Sequence, residues 1–147
     1  MLNPCDPSPR PILVAEDLDD DYDTVVEAAR RVNLPNALVR TRTLAETRVL
    51  LDEEQRPPFG FVLLDVNLPD GPGRELVQAI RSDGRLRNTP IVVFSTSDNP
   101  RDLRELYAAG ANAYHVKALR YDANLEQLSH IFGYWLRSVC LDDSTTP

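Results

Sequence analysis

The chain has 147 residues, of which 42% are hydrophobic and 27% charged, and its formal net charge is −7 at pH 7. This length and composition predict one globular domain with a real core, and the negative charge disfavours nucleic-acid binding, which depends on a basic surface. No apolar run approaches the roughly 20 residues that cross a bilayer, and the N-terminus lacks a signal-peptide core, so we expect a cytoplasmic protein with no membrane partner. The two cysteines, Cys5 and Cys140, form neither a disulfide framework nor a zinc-spaced pair, and we expect ordinary thiols.

Short apolar strands alternate with helical segments along the chain. Residues 1–10 contain several prolines and predict a flexible leader, the domain itself should span 11–140, and 141–147 should form a short polar tail. The predicted strands, in chain order, are 12–15, 37–40, 61–64, 91–94 and 113–116, and each precedes a helix. Alternation of this kind predicts an α/β fold with a parallel sheet, right-handed crossovers and helices on both faces.

Capping signals mark several of the predicted helices. Thr43 and Glu46 form a capping box that opens the second helix, and Asn99 followed by Pro100 opens the fourth. Gly110 is the expected left-handed stop of that fourth helix, whose predicted buried residues are Leu103, Leu106 and Tyr107. Asp70-Gly71 could close a hairpin, but because strands alternate with helices on both sides we predict a simple loop there.

Polar side chains follow four of the five predicted strands. These residues are Glu16 and Asp17 after the first strand, Asp65 after the third, Ser95 after the fourth and Lys117 after the fifth. In a doubly wound sheet of order 2-1-3-4-5, strands one and three flank the switch point where ligands bind, so the carboxylates should share one crevice. Alone they would repel each other, and a hard divalent cation such as Mg²⁺ would relieve that repulsion.

This set of side chains suits phosphoryl transfer to a carboxylate. Asp65 would be the nucleophile, while the metal and Lys117 neutralise the charge that develops on the transferred group, and Ser95 offers a hydroxyl donor. The structural alternatives are an aspartate that caps the following loop and a lysine paired with a strand-end acid for stability.

The same segments resemble the receiver domain of two-component response regulators, from Ile12 to about Val139. The matching segments are Leu13-Val14-Ala15-Glu16-Asp17, Leu63-Leu64-Asp65-Val66-Asn67-Leu68-Pro69, Val93-Phe94-Ser95, and Gly110-Ala111-Asn112-Ala113-Tyr114 leading to Lys117. The resemblance implies a flavodoxin-like (CheY-like) fold and a signalling protein, not an enzyme. It implies that Asp65 accepts a phosphoryl group from a phosphohistidine of a sensor histidine kinase.

The resemblance also implies roles for the neighbours of Asp65. Mg²⁺ would be bound by Asp17, Asp65 and the main-chain carbonyl of Asn67, with Glu16 contributing through water. Ser95 and Tyr114 would form the switch that responds to the phosphate. Asn67 and Ser97 would tune the lifetime of the acyl phosphate by governing the access of water.

Within this family the chain is most similar to single-domain regulators of bacterial phytochromes, which implies a red-light-sensing histidine kinase as partner. The segments that carry this likeness are Asn67-Leu68-Pro69, Gly73-Arg74-Glu75, Ser95-Thr96-Ser97-Asp98, and Phe132 with Trp135-Leu136. Two residues depart from the family pattern. Ala118 follows Lys117 where the family has proline, so the loop stores strain or takes another path, and Glu16 stands in place of an aspartate.

Two other functions remain open. A pseudo-receiver would bind partners without phosphotransfer, and an aspartate-nucleophile phosphatase would turn over phosphomonoesters. The apolar stripe that ends in Phe132, Trp135 and Val139 should first of all pack in the core, but its outer end also suggests a homodimer through the final helix.

Overall fold

The computed structural model describes residues 9–140, which form a five-stranded parallel sheet with helices on both faces. The strands are β1 (Ile12–Ala15), β2 (Leu38–Thr41), β3 (Phe61–Leu64), β4 (Asn67–Leu68), β5 (Gly71–Pro72), β6 (Ile91–Ser95) and β7 (Ala113–Val116). The helices are α1 (Asp19–Arg31), α2 (Leu44–Asp52), α3 (Gly73–Ser82), α4 (Pro100–Ala109) and α5 (Tyr121–Gly133), and a π-helical segment, Tyr134–Ser138, follows α5.

The order of the main sheet is β2-β1-β3-β6-β7, which confirms the predicted doubly wound topology. Because β4 and β5 form a separate pair, β6 and β7 are the fourth and fifth strands of this sheet. Every residue of β1 and β3 is buried, since helices cover both of their faces. One apolar cluster includes Leu13, Val62 and Leu76 of α3, and the other includes Val14, Leu63 and Leu128 of α5.

The structure corrects the prediction of a simple loop at Asp70-Gly71. Here β4 and β5 pair antiparallel as a two-stranded hairpin, in which Leu68 lies opposite Gly71. The Asp70 side chain attaches this turn to the start of α2. Its two carboxylate oxygens accept hydrogen bonds from the N–H groups of Leu44 (2.7 Å) and Ala45 (2.9 Å). The residues Asp70-Gly71 therefore do form a hairpin turn, although the strands of the main sheet are parallel.

The predicted helix caps are present. The Thr43 hydroxyl accepts a hydrogen bond from Glu46 N–H at 3.0 Å, and the Asn99 side chain accepts one from Arg101 N–H at 2.9 Å. Gly110 ends α4 with φ of 119°, a left-handed conformation. The predicted inner face of α4 is wrong at two positions, because Leu103 is 39% and Tyr107 45% exposed while only Leu106 of the three is buried.

Arg81 of α3 ties three segments together. Its guanidinium donates hydrogen bonds to the carbonyl of Gly110 (2.9 Å), the carbonyl of Thr89 (2.7 Å) and the side-chain oxygen of Asn112 (2.8 Å). Asn112 in turn accepts a hydrogen bond from Ile91 N–H at 2.8 Å. The C-terminal end of α4 is therefore fixed to the end of α3 and to the beginning of β6.

The end of α5 and the π-helical segment after it pack against the sheet. Phe132 and Leu136 are buried, and the Trp135 ring lies 6.2 Å from the ring of Phe61, so most of the predicted apolar stripe belongs to the core. Cys140 is disulfide-bonded, contrary to the expectation of an ordinary thiol. Cys5 lies outside the described residues, as do most of the predicted leader and the whole predicted tail. Among residues 9–140, no helix has the length and hydropathy of a membrane span.

Candidate functional site

The carboxyl ends of β3, β6 and β7 bring Asp65, Ser95 and Lys117 into contact. The Ser95 hydroxyl donates to Asp65 Oδ1 at 3.2 Å, and Lys117 Nζ donates to Asp65 Oδ2 at 3.3 Å. All three residues are buried, Ser95 completely. Residues that are 30 and 52 positions away from Asp65 in the chain thus meet at its carboxylate, as the parallel topology requires.

The backbone around Asp65 is held tightly. Its N–H donates to the carbonyl of Ala15 at 3.0 Å, and the N–H of Asn67 donates to Asp65 Oδ1 at 3.1 Å. A Cβ atom on Gly73 would lie 2.9 Å from the carbonyl oxygen of Asp65 and 3.0 Å from Cα of Val66. Glycine at position 73 therefore allows α3 to begin directly against the segment that carries Asp65.

Three carboxylates and one ammonium group form the polar centre of the site. Glu16, Asp21 and Asp65 each offer an oxygen within 4.8 Å of the others, and Lys117 Nζ lies 3.3 Å from Glu16 and 2.9 Å from Asp21. Burial, together with the charges of Asp65 and Asp21, raises the pKa of Glu16 to about 8, although Lys117 opposes this. Burial alone would lower the pKa of Lys117, but the neighbouring carboxylates outweigh it and raise that pKa.

The donor set of this cluster fits a hard divalent cation. It consists of carboxylate oxygens, which Mg²⁺ and Mn²⁺ prefer, and its negative charge exceeds what one lysine can neutralise. Asp17 lies outside this group of three and stays a predicted ligand. Within the described part of the chain its half-buried carboxylate makes no hydrogen bond or ion pair, so it is free to bind a cation.

Asp21 is the member of the cluster that sequence reasoning missed. It lies among several acidic residues at the N-terminus of α1, where the helix dipole favours carboxylates without any further role. The available signal was topological, because the first turn of a helix that follows a parallel strand lies at the same edge of the sheet as the end of that strand. Asp21 occupies this first turn.

The predicted switch and tuning residues form a second network beside the cluster. The Tyr114 hydroxyl donates to the carbonyl of Ser97 at 2.8 Å, and the N–H of Ser97 donates to Ser95 Oγ at 3.3 Å. The Ser97 hydroxyl donates to Asp102 of α4 at 2.5 Å. Burial raises the pKa of Tyr114. Ser97 thus lies between the site and α4, whereas the side chain of Asn67 is exposed.

The loop after Lys117 contains no cis peptide bond. Among residues 9–140 no peptide bond is cis, so Lys117 and Ala118 are joined in the trans form. The backbone N–H of Lys117 donates to the carbonyl of Ser95 at 2.8 Å, which extends the pairing of β6 and β7 to the lysine itself.

Comparisons with known proteins agree with this geometry. The protein-family model of the response regulator receiver domain matches residues 12–129 of this chain. The response regulator Rcp1 of Synechocystis sp. is 29% identical over 137 residues, which cover 90% of this chain and 93% of that protein.

Two solved structures are similar over nearly the whole chain. The phosphorylated cyanobacterial phytochrome response regulator RcpA has a TM-score of 0.84 and 30% identity, with 92% of this chain and 100% of that one covered. The response regulator RPA3017 in red light signaling of R. palustris has a TM-score of 0.78 and 28% identity, with 90% and 98% covered. The chain belongs to the response regulator receiver domain family.

Proposed function

We propose that this protein is a response regulator that accepts a phosphoryl group on Asp65 from a sensor histidine kinase. The observation that carries this proposal is the buried Asp65 carboxylate, which lies at the end of β3 with Lys117 Nζ 3.3 Å and Ser95 Oγ 3.2 Å away. A structural ion pair alone would not need a strand-end hydroxyl and two further carboxylates, since burial of charge without a use is costly.

In the proposed reaction an oxygen of the Asp65 carboxylate forms a bond to the phosphorus of a phosphohistidine. The phosphorus–nitrogen bond breaks, its electron pair returns to the imidazole, and that nitrogen takes up a proton from solvent. No general base is needed because the ionised carboxylate is already a nucleophile. Lys117 neutralises charge on the transferred group, and the Ser95 hydroxyl can donate a hydrogen bond to one of its oxygens.

The carboxylates of the site would hold Mg²⁺. We infer ligation by Asp17, Asp65 and the main-chain carbonyl of Asn67, with Glu16 acting through water and Asp21 as a further carboxylate of the same cluster. When bound, the cation supplies positive charge to the phosphoryl oxygens. The mutual distances of Glu16, Asp21 and Asp65 support the part of this assignment that concerns these three residues.

Phosphorylation would act on the surface through Ser95 and Tyr114. A new phosphoryl group attracts the Ser95 hydroxyl, and Ser95 leaves its hydrogen bond with the N–H of Ser97. Tyr114 and Asp102 both hold Ser97, so a shift of Ser97 is passed to β7 and α4. Ser97, together with Asn67, would also govern the access of water to the acyl phosphate.

A phytochrome-type histidine kinase in the cytoplasm is the proposed partner. The support is the likeness to Rcp1, to RcpA, which is a phytochrome response regulator, and to a regulator in red light signaling. Phosphotransfer profiling against the sensor kinases of the host would test it, with fastest transfer expected from a kinase that carries a phytochrome. Fastest transfer from a kinase of another sensory class would contradict the phytochrome partnership but not the receiver function.

A homodimer through the final helix region is the second proposed assembly. Tyr134 is 58% exposed at the junction of α5 and the π-helical segment, and its ring packs against that of Trp135. Multi-angle light scattering should give twice the monomer mass, and Tyr134→Asp should reduce it. A monomer for both the phosphorylated and the unphosphorylated protein would contradict the dimer.

The phosphorylation itself is tested with acetyl phosphate and Mg²⁺, followed by intact mass spectrometry. The wild type and Asp52→Asn, a change at an exposed carboxylate on α2, should gain the mass of one phosphoryl group, whereas Asp65→Asn should not. No mass gain in the wild type would favour the pseudo-receiver. Sustained turnover of a phosphomonoester would favour the phosphatase.

A further inference from the structure

Lys117 is the one lysine among the 16 basic residues of the chain, and it lies in the loop that joins β7 to α5. The apolar side chains in and beside this loop do not anchor it in the core, because Leu119 in the loop is 103% exposed, Val116 at the end of β7 is 41% exposed and Tyr121 at the start of α5 is 58% exposed. The ammonium group, by contrast, has to stay on the buried Asp65 carboxylate. The N–H of Lys117 is held by the carbonyl of Ser95, so something other than apolar burial must also fix the peptide groups on either side, at Val116 and Ala118.

The side chain of Gln127 makes that connection. Its Nε2 donates to the carbonyl of Val116 at 2.8 Å, and its Oε1 accepts from the N–H of Ala118 at 2.9 Å. Both polar ends of one amide are used, one on each side of Lys117. Charge-neutral hydrogen bonds of this kind add little stability each, but two from one planar group restrict the orientation of the peptide units between them.

The helix turn that carries Gln127 is a firm base for these two bonds. The neighbouring residues Leu125 and Leu128 of α5 are 2% and 0% exposed, and both belong to the apolar cluster beneath the sheet. Close packing of this kind leaves little freedom for the backbone of the turn. The amide therefore transmits the position of α5 to the loop that carries Lys117.

The second hydrogen bond depends on the residue after the lysine. Ala118 has a backbone N–H, whereas a proline at this position would have none and could not donate to Gln127. The alanine that departs from the family pattern and the glutamine nine residues later thus form one local arrangement.

We propose that Gln127 is the positioning residue of Lys117, holding the lysine's backbone on both sides so that its ammonium group stays directed at Asp65. This inference rests on the proposed phosphotransfer, which gives the direction of Lys117 its purpose.

The first test is the rate of phosphorylation by acetyl phosphate and Mg²⁺. Gln127→Leu keeps a side chain of similar size and removes both hydrogen bonds, and it should slow phosphorylation about tenfold, as expected for a displaced catalytic group. The control is Gln78→Leu at an exposed position of α3, which should react like the wild type. Urea denaturation of each variant shows whether it is folded.

The second test reads Lys117 directly and does not depend on phosphorylation. Since the chain has one lysine, protein grown on ¹³C-lysine gives a single Cε signal that belongs to Lys117. Gln127→Leu should shift and broaden this signal, and Gln78→Leu should leave it unchanged. Gln127→Glu keeps an acceptor for Ala118 N–H but loses the donor to Val116, so its signal should lie between those of the wild type and Gln127→Leu.

The outcomes separate the two proposals. If the wild type gains a phosphoryl group and folded Gln127→Leu matches it in both rate and Lys117 signal, the positioning role is wrong. If the wild type gains none, the proposed function fails, while a changed Lys117 signal in the variants still supports the positioning role. Should Gln127→Leu not fold, Gln127→Glu decides by the same two measurements.

Discussion

The acidic and the basic halves of the site are held in different ways. Asp65 and Glu16 follow β3 and β1, whose residues are all at most 3% exposed, so burial of the strands fixes where these carboxylates emerge. Lys117 follows β7, an edge strand whose residues are half-buried or exposed. Its loop is held instead by hydrogen bonds with the carbonyl of Ser95 and the side-chain amide of Gln127. The nucleophile therefore follows a strand that is fixed by burial, and the counter-charge lies in a loop that is fixed by hydrogen bonds.

The largest expected effect on stability comes from comparing β3, which precedes Asp65, with β7, which precedes Lys117. Val62→Ala in β3 removes two fully buried methyl groups and should lower the free energy of unfolding by about 2–3 kcal/mol. The matched change in β7, Val116→Ala, affects a side chain that is 41% exposed. It should change the free energy of unfolding by less than about 0.5 kcal/mol. Urea denaturation of both variants checks this, and equal losses would contradict the contrast.

The backbone around Asp65 should leave no room for one added methyl group at Gly73. Gly73→Ala places Cβ 2.9 Å from the carbonyl oxygen of Asp65, which cannot yield as a side chain could, and should cost about 1–3 kcal/mol of stability. A Cβ atom on Gly84 meets no heavy atom within 4 Å, so Gly84→Ala is the control and should be neutral or slightly stabilising. Thermal melting of both variants decides, and a neutral Gly73→Ala would refute the tight approach.

The crowding of carboxylates should appear in the pH dependence of stability. Since the pKa of Glu16 is raised from 4.5 to about 8, the folded form keeps a proton that the unfolded form has lost between these values. In chelator, the free energy of unfolding should therefore fall as pH rises through this range, by at most about 1.4 kcal/mol per pH unit for this one group.

Two glutamate variants test the assignment of that slope. Glu16→Gln cannot ionise and should flatten the dependence on pH, while Glu126→Gln at an exposed position of α5 should leave it as in the wild type. Denaturation midpoints at pH 6, 7 and 8 would show this. An unchanged slope in Glu16→Gln would mean that another group is responsible.

The smallest expected effect lies at the edge strand. The hydroxyl of Tyr107 accepts a hydrogen bond from the backbone N–H of Tyr114 at 3.1 Å, which links α4 to β7. Tyr107→Phe should cost about 0.5–1.5 kcal/mol and speed hydrogen exchange of the Tyr114 amide. Tyr121→Phe, at a residue that is 58% exposed, is the control. Unchanged exchange at Tyr114 would contradict the link.

Local signals in the sequence were sufficient for the strand ends and the caps. A strand that stops at Asp65 and a helix that starts after Asn99 depend on neighbouring residues, so the topology and the meeting of Asp65, Ser95 and Lys117 could be inferred. The first residue of α1, and with it the side chains that face the core, could not be inferred, because five aspartates precede or open this helix and each could be its first residue. The helix begins at Asp19, and its buried residues are Val25, Ala28 and Ala29, whereas the apolar Val26 is 41% exposed.

Long-range contacts account for most of the remaining differences. Gln127 has no signal in the sequence because its partners, Val116 and Ala118, are known only once α5 is placed beside β7. The exposure of Leu103 and Tyr107 depends in the same way on how α4 lies over the sheet. Helical spacing identifies an apolar stripe, but it does not say how much of that stripe the neighbouring strands cover.

The hydrogen bonds of Arg81 determine how α4 can move. They attach the last turn of this helix, at Gly110, to α3 and to the start of β6, whereas its first turn is attached to the site through the hydrogen bond of Ser97 with Asp102. If Ser97 shifts, we therefore expect the helix to rotate about its C-terminal end instead of sliding along its axis. The displacement should then be largest at Pro100 and smallest at Ala109, so a partner protein that distinguishes the two states would gain most by contacting the N-terminal half of α4.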